Sequence, residues 1–259
     1  MYDESSMTRE ERFERILSEV VRKGNVDGDD LVDLLGTSRA TVRRDLDEMQ
    51  RRGMLRRTHG GAAVMENRDE LPFQFKLSMY LPEKRAIAAA TAALIDDGRV
   101  IGCTGGTTVT QVIKALKGRS VTIVTNAINL AMELAASEST EVVITGGVLR
   151  TRSYELVGHI AERTIQDFHL DIALVGVDGL DFDHGISTFT MAEAHAAALY
   201  VEHSHEVWVV TDHSKIGKVA PAIIAPLSRV SRVITDSGVS PDYAERFARA
   251  GISLTVTAP

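Results

Sequence analysis

Cysteine occurs once in the 259 residues, as Cys103, and tryptophan occurs once. A lone cysteine excludes an internal disulfide and any multi-cysteine zinc or iron–sulfur site. Aromatic residues make up 5% of the chain, too few for a platform on which single-stranded bases stack. No apolar run approaches the roughly 18 residues of a membrane span, so no membrane partner is expected. The first eleven residues are acidic and polar and do not resemble a secretory signal; a cytoplasmic location is the expectation. His203 and His205 stand two apart, a poor geometry for one metal, and no H-E-x-x-H pattern occurs, so no metal site is expected. A Walker sequence and a complete dinucleotide fingerprint are both missing, so no cofactor is expected. The chain has no internal repeat and no low-complexity tract.

What is present is the composition of a globular protein, 44% hydrophobic and 25% charged. The length suits a small domain followed by a medium one. Net charge is −7, which on average opposes a nucleic-acid partner. The average conceals a local excess. Between residues 38 and 63 stand Arg39, Arg43, Arg44, Arg51, Arg52, Arg56 and Arg57, against only Asp45, Asp47 and Glu48. Local charge, and not the total, forms a footprint on duplex DNA.

Residues 9–52 read as three helices. Phe13, Ile16, Leu17 and Val20 make an amphipathic stripe that stops at Gly24-Asn25. Leu31, Leu34 and Leu35 mark a second, short helix starting near Asp29. Gly36-Thr37-Ser38 is a turn, with Ser38 placed to cap a third helix whose inner face is Val42, Leu46 and Met49. Two short extended pieces around Gly60-Gly61 read as a wing. At about 100° per residue, Ala40 and Arg44 point away from the core direction set by Val42, flanked by Thr41 and Arg43. Such a face suits a major groove, where arginine can bind guanine edges with two hydrogen bonds. Arg51, Arg52, Arg56 and Arg57 suit phosphate contacts.

The run Ser38-Arg39-Ala40-Thr41-Val42-Arg43-Arg44-Asp45-Leu46, followed by Gly53-Met54-Leu55-Arg56-Arg57-Thr58-His59-Gly60-Gly61-Ala62, resembles the N-terminal winged helix of the DeoR family of bacterial transcription regulators. The resemblance implies double-stranded operator DNA as partner, most often in repression, with contacts from Ser38, Arg39, Ala40, Thr41, Arg43, Arg44, Arg51, Arg56, Arg57 and His59. The winged helix-turn-helix domain is expected over 8–64, and a linker over 65–82.

From residue 83 helices and strands alternate, which predicts an open α/β domain over 83–259 with a mostly parallel sheet. Strands are expected at 100–103, 121–125, 142–145, 172–177, 207–211, 230–235 and 252–256. Helices are expected at 87–95, 109–116, 128–136, 160–168, 191–202 and 242–250. The strand runs are nearly continuously apolar, as in strands buried on both faces. Ligands of open α/β sheets bind outside the carboxyl ends of the strands. There stand Thr104-Gly105-Gly106-Thr107-Thr108, Thr125-Asn126, Gly146-Gly147, Asp178 and Lys215. A glycine-rich turn into a helix offers backbone N–H groups to an anion. Threonine hydroxyls and the Lys215 charge add to it, while Asn126 and Asp178 suit sugar hydroxyls. Cys103, at a strand end, is read as packing.

The resemblance continues through this half, on Glu83-Lys84-Arg85-Ala86-Ile87, Gly106-Thr107-Thr108, Thr125-Asn126, Gly146-Gly147, Leu156-Val157-Gly158, Gly176-Val177-Asp178-Gly179, Glu193 and Asp212-His213-Ser214-Lys215. It implies a sensor domain similar in fold to ribose-5-phosphate isomerase that recognises a phosphorylated sugar or related metabolite. Its effector contacts are expected among Thr104, Gly105, Gly106, Thr107, Thr108, Thr125, Asn126, Gly146, Gly147, Asp178, Glu193 and Lys215. The family often has Asp-Ser-Gly-Thr-Thr after the first strand; here Thr104 and Gly105 stand in the first two places. A homo-oligomer, dimer or tetramer, is expected, because one small winged helix offers limited specificity. The competing reading is a sugar-phosphate isomerase with an accessory helical domain, using Asp178 or Glu193 as base. The recognition helix has no purpose in that reading, so a non-enzymatic regulator is the expectation.

Overall fold

The computed structural model describes residues 7–63 and 70–258. The chain forms two compact units, one within residues 1–79 and one within 80–259.

The first unit begins with α1 (Arg9–Lys23), started by a reciprocal cap in which Thr8 Oγ1 accepts from the Glu11 N–H and Glu11 accepts from the Thr8 N–H. Gly24, at φ +76°, ends it. A strand, β1 (Asn25–Asp27), follows where the sequence signals only a helix stop. Next come α2 (Gly28–Leu35), capped by Asp27, and α3 (Arg39–Arg51), capped by Ser38. The wing is β2 (Arg56–Arg57) and β3 (Gly61–Ala63). Its partner is the unforeseen β1, giving an antiparallel sheet in the order β1-β3-β2. The approach needs glycine, since a Cβ on Gly61 would run into the Val26 carbonyl. Phe13, Ile16, Leu31, Val42, Leu46, Met49, Met54 and Leu55 fill the core, each contributing about 1.5–3 kcal/mol by burial.

The stretch expected as linker is structured where it is described. A short helix, α4 (Phe73–Lys76), buries Phe73, and Phe75 and Met79 pack on the core of the first unit. The expected domain end at 64 and the linker residues 65–69 lie outside the described residues. The second unit opens with α5 (Leu81–Ala93), which starts six residues ahead of the helix expected at 87–95. Pro82 stands in its first turn, where a missing N–H costs nothing; it starts this helix and does not break it.

Then follow β4 (Val100–Cys103), α6 (Thr107–Ala115), β5 (Thr122–Thr125), α7 (Ile128–Leu134), β6 (Glu141–Ile144), β7 (Val148–Arg150), β8 (Glu155–Val157) and α8 (His159–Gln166). The chain continues through β9 (Leu170–Val175), β10 (Gly179–Asp181), β11 (Gly185–Thr188), α9 (Met191–Glu202), β12 (Ser204–Val210), β13 (Ala222–Ala225), β14 (Arg232–Asp236), α10 (Pro241–Arg249) and β15 (Ser253–Thr257). Seven strands form one sheet in the order β15-β14-β12-β9-β4-β5-β6, every pair parallel. These are the seven strands read from the sequence. Alternate residues face two cores. Ile101, Cys103, Ile172, Leu174, Trp208 and Val210 meet α5, α6 and α7, while Ala173, Val175, Val207 and Val209 meet α8, α9 and α10. Burial on both faces is why the strand runs are continuously apolar.

By order of appearance the sheet strands run 3-2-1-4-5-6-7, so the winding reverses between β4 and β9. In open α/β sheets such a reversal is where a ligand crevice is expected, at the carboxyl ends of these two strands. Two smaller sheets were not foreseen: the β7–β8 hairpin and the antiparallel set β10-β11-β13.

Candidate nucleic-acid interface and effector site

In the first unit α3 turns Ala40, Arg43 and Arg44 to solvent. Ser38 is exposed, but its Oγ accepts the Thr41 N–H at 3.2 Å and lies 3.0 Å from Thr41 Oγ1. The three acids counted against the arginines are each engaged. Asp45 is buried and takes two bonds from Arg12, at 2.6 and 3.3 Å, which tie α3 to α1. Glu48 holds Arg51 and Arg52, and these two guanidiniums pull its carboxyl down to about 2. Asp47 lies 3.6 Å from Arg57. Arg39 pairs with Asp29 at 2.7 Å, both exposed. Among the described residues Arg43, Arg44 and Arg56 have no acid partner. The excess of positive charge therefore collects on the outer face of α3 and on β2, with exposed His59 at the tip of the wing.

The second unit gathers most of its candidate residues at the β4–β9 reversal. Thr104 Oγ1 accepts the Gly176 N–H at 3.0 Å, joining the loops that leave the two strands. A Cβ on Gly176 would lie 2.9 Å from the Gly105 carbonyl oxygen, so the crossing admits no side chain there. Gly106, at φ +120°, leads into α6, and no side chain caps that helix. The leading N–H groups of Thr107, Thr108 and Val109 thus face the crevice end of the helix with the positive end of its dipole. Thr107 and Thr108 are both 7% exposed.

Thr125 and Asn126 stand in the next loop but are spent within the fold. Thr125 Oγ1 donates to Cys103 O at 2.8 Å, and Asn126 Nδ2 donates to Leu156 O at 3.1 Å and Glu155 Oε1 at 3.3 Å. Asn126 Oδ1 is buried with no partner among the described residues. Glu193 caps the first turn of α9 with Thr190, whose Oγ1 donates to Oε2 at 2.8 Å; Arg150 Nη1 donates to Oε1 at 2.9 Å. Asp178 accepts from Thr188 Oγ1 at 3.2 Å. Lys215 is presented by a tight helical turn, His213–Lys215, capped by Asp212 and held by His213 Nδ1 at 2.7 Å from Asp236. The Gly217 N–H donates to Leu180 O at 2.8 Å, which brings this turn to the Asp178 loop.

Gly146 and Gly147 are not joined to this group by any described contact. A Cβ on Gly146 would meet Ile160, and one on Gly147 would lie 2.8 Å from Val157 O, so both serve the seating of β7, β8 and α8. Two residues escaped the sequence reading. Glu155, buried, accepts the Gly105 N–H at 2.9 Å, and burial together with the neighbouring Glu193 charge pushes its carboxyl up to about 8. Arg150 supplies the cation to Glu193. Glu155 could have been found only from the smallness of Gly105, fifty positions earlier. Burial also pushes the Cys103 thiol up, in keeping with a packing role.

Comparison with known proteins accounts for both halves. A DeoR-like helix-turn-helix domain matches residues 12–68, and a DeoR C-terminal sensor domain matches residues 80–237. The chain is 32% identical over 248 residues to the putative aga operon transcriptional repressor of Escherichia coli O157:H7, covering 94% of this chain and 92% of that protein. It is 32% identical over 232 residues to the glycerol-3-phosphate regulon repressor of Escherichia coli K12, covering 89% and 92%. Among solved structures, ribose 5-phosphate isomerase A of Methanocaldococcus jannaschii aligns over 53% of this chain and 55% of that one, with 18% identity and a TM-score of 0.39.

Proposed function

The chain belongs to the DeoR family of transcription regulators, and from that premise we propose that it represses carbohydrate or sugar-phosphate genes and releases its operator when a phosphorylated effector fills the crevice between β4 and β9. The observation that carries the reading is the outer face of α3, where Arg43 and Arg44 stand exposed without acid partners. The contacts with bases come from Arg43, Arg44, Ala40 and Thr41. Arg51, Arg56, Arg57, Arg39, Ser38 and His59 meet the backbone and the wing side.

In the second unit the effector's phosphate sits at the uncapped start of α6, on the N–H groups after Gly106 and the hydroxyls of Thr107 and Thr108. Lys215 supplies the full charge, and Asp178 takes a hydroxyl. Thr104, Thr125 and Asn126 shape the wall, because their side chains are committed elsewhere. Glu193 holds that wall with Arg150. An isomerase needs a carboxylate free to take a proton from carbon, and both oxygens of Glu193 already accept bonds. The protein acts as a regulator and not as an enzyme. It works in the cytoplasm as a homo-oligomer whose copies occupy two half-sites; no helix among the described residues is long and apolar enough to cross a membrane.

The deciding experiment is an operator titration at several salt concentrations with and without a panel of sugar phosphates. Specific binding, weakened by at least one phosphate ester, is expected. Absence of specific binding in every condition rejects the reading. Sedimentation of the free protein checks the oligomer, which a purely monomeric species would rule out.

A further inference from the structure

Gly105 leaves a gap in the first loop, and Glu155 fills it. A Cβ on Gly105 would lie 2.6 Å from Glu155 Cγ, so the space that any larger residue would claim belongs to the glutamate. Glu155 Oε1 accepts from the Gly105 N–H and from Asn126 Nδ2. Glu193, also buried, is close enough for its charge to act on this carboxyl. Two neighbouring carboxyls in a dry site do not both ionise readily; one keeps a proton. The surroundings decide which. Glu193 has a cation, Arg150, on Oε1 and a hydroxyl on Oε2. Glu155 has only neutral donors besides Glu193. The proton therefore stays on Glu155, which has no cation partner among the described residues.

We propose that Glu155, whose Oε1 holds the Gly105-Gly106 loop, keeps a proton at the effector site and sets a negative charge beside the bound anion when it loses that proton, so that effector binding is linked to one proton. The proposal rests on the reading of the α6 N-terminus given above. Loss of the proton places a second buried negative charge against Gly105, two residues before the helix start that receives the anion, and like charge there weakens anion binding. Other groups around Glu155 do not supply such a change. From α9 come Glu193 and the buried Tyr200, and from β7 comes Arg150. Burial pushes the Tyr200 hydroxyl and the Cys103 thiol up, away from neutral pH. His159 on α8, His195 on α9 and Arg152 in the hairpin turn are exposed. The loops bearing Gly105 and Asn126 bring no ionisable side chain. Burial and Glu193 place the Glu155 transition near pH 8.

Sulfate is the probe, because its charge stays constant where phosphate esters titrate. Sodium sulfate is titrated calorimetrically into the full chain near pH 8 in two buffers of different ionisation enthalpy, at matched ionic strength. Binding is expected to draw a fraction of a proton from the buffer near pH 8 and none near pH 6. Affinity is expected to fall roughly tenfold between about pH 6.5 and about pH 9.5. In Glu155→Gln, which keeps the acceptor for Gly105 and has no proton to lose, affinity becomes alike at the two values. Sulfate that binds the unaltered protein without proton uptake overturns the proposal, and needs no variant to do so. An unchanged pH dependence in Glu155→Gln also overturns it while leaving the α6 anion site standing. No sulfate binding near pH 6.5 overturns the α6 reading and this proposal together.

Discussion

Arg43 and Arg51 lie on one helix, yet different neighbours face them. Arg51 meets Glu48, which also holds Arg52, so part of its charge is already neutralised. Arg43 and Arg44 meet no acid among the described residues. Arg43→Ala or Arg44→Ala is expected to weaken operator binding roughly tenfold or more and to relax specificity at one base pair. Arg51→Ala is expected to cost less, and equally on operator and unrelated duplex. Fluorescence anisotropy on both duplexes separates the two patterns. Equal losses on both duplexes for Arg43 and Arg44 would remove them from base contact. At Glu155 the folded-state value, about 8, lies above the ordinary carboxyl value of 4.5. The folded protein then holds a proton that the unfolded chain has released, so this residue's stabilising contribution is full below about 4.5 and is lost as pH rises towards about 8. Thermal unfolding followed from acid to alkaline pH is expected to show that decline, and Glu155→Gln is expected to flatten it. The arginines were legible because a helical period alone turns them outward. Glu155 was not, since an acid in Ser-Tyr-Glu-Leu-Val-Gly looks like a surface group until β8 is laid beside Gly105.

Elements were legible in proportion to how far their own sequence determines them. The stripe of α1, the Ser38 cap of α3 and the seven apolar runs of the large sheet need no distant partner to be recognised. β1, β7, β8 and β10 are three residues each, too short for alternation to register; β1 exists because a strand about 35 residues on pairs with it, and the others because they pair across short hairpins. β1 is fixed by Gly61, and β7 by the close approach of Gly147 to Val157. Ion pairs between elements carry a similar long-range signal. Asp45 joins α3 to Arg12 of α1 inside the first unit. Its replacement by alanine strands a partly buried guanidinium and is expected to destabilise that unit by about 3 kcal/mol. The single tryptophan, Trp208, lies in the second unit on β12. In Asp45→Ala the helical signal by circular dichroism is expected to fall at a lower temperature than in the parent, while the Trp208 emission transition stays where it was. A shift of both by the same amount would mean that the units unfold as one.

For the molecule as a whole, two separate cores and two separate ligands make regulation a matter of coupling free energy. A phosphate ester that binds only the folded sensor raises its stability by about 2.7 kcal/mol at a hundred times its dissociation constant, which Trp208 emission would report. That shift alone shows a ligand and not a switch. A switch requires that the ester and the operator each change the affinity of the other, and by the same factor, because both sides of the cycle share their end states. Coupling free energies between two sites are typically about 1–3 kcal/mol, roughly 5- to 150-fold in affinity. Operator titrations at zero and saturating ester give one side. Ester titrations with and without saturating operator give the other. Equal factors above about fivefold are expected. An ester that stabilises the Trp208 transition yet leaves operator affinity unchanged would leave the crevice as a binding site with no hold on the DNA face, and the repressor reading would have to find its signal in a different ligand. The measurement belongs at fixed salt, since the phosphate contacts proposed for the arginines of α3 and the wing would make operator affinity fall steeply with ionic strength, and an ester added as its sodium salt would otherwise imitate the effect.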